Sequence, residues 1–169
     1  VSKRALKKYV SELKKRQLEE QLLDLYDRFP AVKSYFDFVF NPKEDKLLQE
    51  AKAKISNEYF PVKRKRARAR RSVAQKYIKQ FVKLGMDPVY IADLMLYNLE
   101  IAQLFSKDRN VPEAFFKSML NSFEQSVGHI ASHSLLPEFK ERIITIYEFT
   151  QTQQWAYKEG FSRALDMID

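Results

Sequence analysis

The residues whose type and spacing could do chemistry are mainly cations. Between Tyr59 and Met86 the chain carries ten Lys or Arg (Lys63, Arg64, Lys65, Arg66, Arg68, Arg70, Arg71, Lys76, Lys79 and Lys83) and no Asp or Glu. Seven of them fall in the nine residues KRKRARARR, Lys63 to Arg71. Like charges this dense repel one another and gain little from a core. They must be solvated, paired with carboxylates elsewhere in the chain, or held for an anionic partner. Phosphate suits the last role. Several Arg side chains beside a helix N-terminus can neutralise the backbone of RNA or DNA, with an affinity that falls steeply with salt and is largely indifferent to base sequence. Ser72 with Gln75 three residues on has the form of a capping box. That would set Arg70 and Arg71 against a helix N-terminus, where the dipole disfavours positive charge and free amides suit an anion. Lys76, Lys79 and Lys83, spaced 3, 4 and 7 apart, would share one face of that helix. Two rival uses stay open: the cations neutralise the chain's own acidic C-terminal half, or they dock on an acidic protein surface.

Aromatic residues flank the tract, Tyr59 and Phe60 before it and Tyr77 and Phe81 after it. Stacking on bases needs exposed rings. Tyr77 and Phe81, four apart among Val73, Ile78, Val82 and Leu84, read instead as a core face, while Tyr59 and Phe60 fit either use. The cluster Tyr35, Phe36, Phe38, Val39 and Phe40 reads as core. His129 and His133 stand at i, i+4 and could offer two metal ligands. With no HExxH, no Cys and no Glu-x-x-His, they read as ordinary histidines, and no metal is expected. Asp93, Tyr97 and Glu100 fall at i, i+4 and i+7. Paired carboxylates can do acid–base work, but such a stripe is more often the wet edge of a helix or an ion-pair seam. No nucleophile, Gly-rich phosphate loop or cofactor motif accompanies it, so the chain is expected not to be an enzyme and to need no cofactor.

These groups have to be positioned by helices. Apolar residues recur at helical spacing nearly everywhere, as in Leu18, Leu22, Leu25, Tyr26 and Phe29, and no β-type alternation is sustained. The pattern predicts helices over 3–13, 15–28, 31–40, 43–58, 73–84, 88–105, 112–132, 137–153 and 156–167. Pro30, Pro42, Pro88, Pro112 and Pro137 all fall where a helix should begin, at positions whose missing N–H costs little. Asn41 and Asp87 look like N-caps, and Gly85 is placed to end a helix. The helical pattern weakens over 61–71 and 106–111, which read as the principal loops. Of the 17 residues from Val89 to Phe105, 13 are hydrophobic, and a helix apolar nearly all round belongs at the centre. The tail from Trp155 reads as a terminal amphipathic helix.

At 169 residues the chain has the usual length of one domain and can bury a core without staples. The expected fold is therefore all-α: a compact multi-helix bundle of eight or nine helices in a single domain, 1–169, with a basic loop at about 61–71. Helical-repeat-like pairing is compatible with this shape, but no fixed period of 30 to 45 residues supports it. The absence of Cys excludes disulfides and Cys-ligated metal sites and fits a reducing compartment. The opening VSKRALKKYV shows no secretory signal, and no apolar run approaches a membrane span. A cytoplasmic location without membrane association is expected. The net charge of +8 is lopsided: +3 over residues 1–58, +10 over 59–86 and −5 over 87–169, a division that predicts one positive face.

The segments SKRALKKYVSELKKRQLEEQLLDLY, FDFVFNPKEDKLLQEAKAKI, YFPVKRKRARARRSVAQKYIKQF and DPVYIADLMLYNLEIAQLF together resemble a small uncharacterised bacterial family, a domain of unknown function found chiefly in Bacteroidetes. The resemblance implies a bacterial, cytoplasmic protein and supplies no activity, cofactor or functional residue. It also argues against a nuclear-localisation role for KRKRARARR. The function expected from the residues is a non-enzymatic helical module that binds nucleic-acid backbone through the ten cations named above. The alternative is a protein-interaction or scaffold module, with the basic tract paired internally or to an acidic partner; homo-oligomerisation is left open.

Overall fold

The computed structural model describes residues 2–168, and among them every regular element is an α-helix. Nine are present: α1 (Lys3–Glu12), α2 (Lys15–Arg28), α3 (Pro30–Phe40), α4 (Glu44–Tyr59), α5 (Arg71–Leu84), α6 (Pro88–Ser106), α7 (Glu113–Ser132), α8 (Leu136–Thr152) and α9 (Lys158–Leu165). The helices divide between two compact units, residues 1–43 and 44–169.

The first unit holds α1 to α3. Ser2 caps α1 by accepting from the Ala5 amide, and Gln17 reaches back to the Lys14 amide at the start of α2. Phe29 ends α2 and begins α3, with Pro30 as the first residue of the new helix. The Tyr26 hydroxyl donates to Asp37 across the α2–α3 pair at 2.9 Å. The cluster expected as core in α3 is not enclosed: Phe36 and Phe38 are half-buried, while Tyr35, Val39 and Phe40 are exposed, Phe40 at 81%. No residue of the three helices is fully buried. Three short helices lack the volume to surround a large side chain on all sides.

The second unit is organised around α6. Eleven of its nineteen residues are buried, and it packs against α4, α5, α7 and α8, while α9 lies on α7 and α8. Sustained burial is what its all-round apolar sequence requires. Asp87 accepts from the Val89 amide and Pro88 fills the first helical position, so the start of α6 needs no further partner. Gly85 closes α5 at φ +70°, a left-handed conformation that glycine adopts without steric cost.

Two local expectations are corrected. Asn41 ends α3 and does not cap α4, which starts at Glu44, two residues beyond Pro42. Ser72 and Gln75 form no capping box: α5 begins at Arg71 and no side chain caps it. Tertiary bonds of Arg71, described below, set that helix start in place of a local cap.

Leu99, fully buried on the central helix, offers a direct test of this core. Leu99→Ala should cost about 2–5 kcal/mol, read as a lowered urea midpoint with the far-UV helical signal of the remaining folded protein retained.

Candidate functional site

The basic loop leaves α4 at Tyr59 and returns to α5 at Arg71, and one acidic residue ties both ends. Glu58 is the penultimate residue of α4 and only 6% exposed. Its two carboxylate oxygens accept a fork from Arg70, Nε and Nη2 each at 2.9 Å, the strongest geometry open to this pair. Arg64 adds an ion pair at 3.5 Å and donates to the Asn57 carbonyl at 2.8 Å. The backbone carbonyl of Glu58 also accepts from the Arg68 and Ala69 amides. To present both amides to one oxygen the chain turns through Ala69 at φ +50°, a left-handed conformation that costs a non-glycine residue about 1–2 kcal/mol. The Arg70 hydrogen bonds hold the Glu58 carboxyl below the usual carboxylate range; burial pulls the other way, and the Arg70 and Arg64 charges add to the lowering.

Arg71 goes inward. It is the first residue of α5, and its half-buried guanidinium reaches α4, α6 and α7. Nη1 donates to the Tyr59 hydroxyl at 3.1 Å, to the Asn98 carbonyl at 3.1 Å and to Asn98 Oδ1 at 2.8 Å. Nη2 donates to Ser122 Oγ at 2.8 Å and Nε to Ser118 Oγ at 3.3 Å, while the Phe115 ring lies 5.6 Å from the guanidinium carbon. Every partner is neutral. A rigid five-donor fork can satisfy such a ring of acceptors, whereas an ammonium cannot.

The other cations have a different fate. Lys63, Lys65, Arg66, Arg68, Lys76, Lys79 and Lys83 are exposed, and among the described residues none of them takes part in an ion pair. The acidic C-terminal half therefore does not absorb the tract. Its best-placed carboxylates are occupied by other cations. Asp93 takes Lys52 of α4 at 2.7 Å and Arg142 of α8 at 2.8 Å, and Arg142 also forks onto Glu100 at 2.8 and 3.0 Å. Burial works to raise the Asp93 pKa, but the hydrogen bonds from Lys52 and Arg142 outweigh it and leave it low. A charge-compensated carboxylate of this kind is a tie between helices, poorly suited to taking up a proton at neutral pH.

The exposed part of the tract borders a cleft of about 580 Å³ lined by Tyr59, Phe60, Pro61, Arg64, Lys65, Arg66, Ala67, Phe105 and Arg109. The loops at 61–71 and 106–111, read separately in the sequence, meet here. Arg109 sits over the Phe105 ring at 4.5 Å, and Phe60 meets Phe105 edge-on at 6.1 Å. Of the aromatics that flank the tract, Tyr59 and Phe81 are buried, Tyr77 is half-buried and Phe60 is 38% exposed. Arg109 and Phe105 were not singled out by the sequence. His129 binds the Pro88 carbonyl at 2.9 Å and His133 turns back onto the His129 carbonyl at 2.8 Å. Burial lowers the His129 pKa, and no cluster of three metal-ligating side chains forms among the described residues.

A cysteine-free, all-helical chain with a basic loop anchored to a single glutamate is the class of protein these features define. It belongs to the family of unknown function DUF6155, whose model matches residues 1–169. No curated protein and no solved structure matches the chain. No helix among the described residues is long and apolar enough to cross a membrane.

Two outcomes are expected. Arg71→Lys should lower stability by about 1–3 kcal/mol, measured by urea unfolding, because one ammonium cannot reach acceptors on three helices. Glu58→Gln should flatten the acid side of the stability curve. A carboxyl with a lowered folded-state pKa contributes stability above its unfolded value, about 4, and that contribution is lost as pH falls through the folded-state value. Urea midpoints from about pH 6 to about pH 2 should therefore fall less steeply in the variant.

Proposed function

We propose that the chain is a non-enzymatic module that binds the phosphate backbone of nucleic acid through the exposed cations of the basic loop, Lys63, Lys65, Arg66 and Arg68, with Lys76, Lys79 and Lys83 of α5 extending the positive surface. The observation that carries the reading is the division of labour within the tract. Arg64, Arg70 and Arg71 have internal partners and hold the loop in shape, while the other seven cations are left exposed without a carboxylate. Holding seven unneutralised charges on one loop and one helix costs self-repulsion, which a polyanion would relieve. The anchoring of the loop also reduces the ordering cost of binding. Occupation of Asp93 and Glu100 by Lys52 and Arg142 supports a binding role over an enzymatic one.

A second reading, a protein-interaction module, rests on a separate observation: the first unit exposes Leu22, Leu23, Phe29, Val39 and Phe40. Association through such a surface would be insensitive to salt.

Binding of fluorescent RNA and DNA oligonucleotides across a salt series tests the first reading. Wild type should bind with a steep logarithmic salt dependence. Changing Lys63, Lys65, Arg66 and Arg68 together to Ala should weaken binding at low salt and reduce the slope by roughly 3, with the urea midpoint unchanged. Absence of binding even at low salt would falsify the proposal.

A further inference from the structure

We infer that the cleft between the two loops of the second unit seats an unpaired base, so that the preferred ligand is single-stranded nucleic acid and not duplex; the inference rests on the backbone-binding reading above. A backbone-binding surface needs charge alone, yet this one borders an open cleft. Its 580 Å³ lie within the usual range for pockets that hold small organic groups. Lys65, Arg66 and Arg109 supply exposed cations, Arg64 being held by Glu58, and no carboxylate is among the described residues that line the cleft.

The floor is aromatic. Phe105 is packed beneath Arg109 and against Tyr59 and Phe60. The exposed planar side chains on the cleft include Phe60, at 38% exposure, and the Arg109 guanidinium, which lies over the Phe105 ring. Bases stack both on aromatic rings and on guanidinium planes, and such stacking tolerates any sequence because every base has a π-face. In a duplex those faces are already covered by neighbouring pairs. A strand with a free base can fill the cleft while its flanking phosphates lie along Lys65, Arg66 and the exposed Lys63 and Arg68. The same chemistry could come from a free nucleotide, but those cations at and beyond the cleft favour a ligand with several phosphates in series.

The test compares wild type with Phe60→Ala, Phe60→Leu and Arg109→Lys. The probes are a single-stranded 12-mer, its duplex, inorganic polyphosphate of similar charge and a mononucleotide. Circular dichroism and urea midpoints check the fold of each variant; Phe60→Leu retains the apolar volume, and Arg109→Lys retains the charge. The single strand should bind more tightly than duplex or polyphosphate. Phe60→Ala should weaken strand binding about tenfold and leave polyphosphate binding unchanged, Phe60→Leu should weaken it nearly as much, and Arg109→Lys should weaken it by a smaller factor. If strand, duplex and polyphosphate bind alike and Phe60 is indifferent, base seating is overturned while backbone binding stands. If none of the probes binds, both readings fail. If the mononucleotide binds as tightly as the 12-mer, the cleft is a nucleotide site and the single-strand assignment is overturned.

Discussion

A guanidinium drawn to the junction of four helices without a carboxylate beside it is the constraint on which the second unit depends. Stripping water from an ion is expensive, and a nearby opposite charge is the usual compensation. At Arg71 compensation comes from neutral dipoles: a phenol, two serine hydroxyls, and the side-chain and backbone oxygens of Asn98, with the face of Phe115 nearby. Those groups are themselves held in place. Ser122 donates its hydroxyl proton to the Ser118 carbonyl, so that its oxygen is left to accept from the cation. Asn98, only 1% exposed, is oriented by Arg71 so completely that its Nδ2 finds no partner. Turning the amide over would set a donor against a donor.

The loop depends on that junction because Arg70 and Arg71 are consecutive and face opposite ways. One grips Glu58 and the other enters the core, so the return of the chain into α5 is fixed from both sides. The same step separates two uses of positive charge that look identical in the sequence. Arg64, Arg70 and Arg71 are consumed by structure, and Lys63, Lys65, Arg66 and Arg68 of the same loop remain in water. Function, on the reading offered above, belongs to the second group, whose placement is enforced by the first.

How far this could be read in advance follows from the range of the interactions. Helix extents were legible because apolar periodicity, Asp87, Gly85 and the prolines act within a few residues, and the central place of α6 followed from its composition. The start of α5 was misread at Ser72 because a plausible local cap lost to the long-range bonds of Arg71. The Tyr35–Phe40 cluster was misread because aromatic density signals a wish to be buried, not the presence of enough surrounding chain. Exposure of Lys63, Lys65, Arg66 and Arg68 was one of three fates the charge pattern allowed. The cleft was not legible, since Phe105 and Arg109 lie some forty residues from the loop they face, and nothing in their local sequence marks them. Glu58 was the accessible clue: it is the last acid before an acid-free run of 28 residues.

The acceptors of Arg71 lie 12, 27, 47 and 51 positions along the chain. A contact so remote in sequence cannot guide the first stages of collapse, because the loops it closes must be paid for in entropy before it forms. The guanidinium stays hydrated until α4, α6 and α7 have met, and only then can it exchange water for their oxygens. It thus serves as a proofreading step in assembly. A packing with any one helix out of register would leave the half-buried cation short of an acceptor, and such a state is disfavoured against the native one.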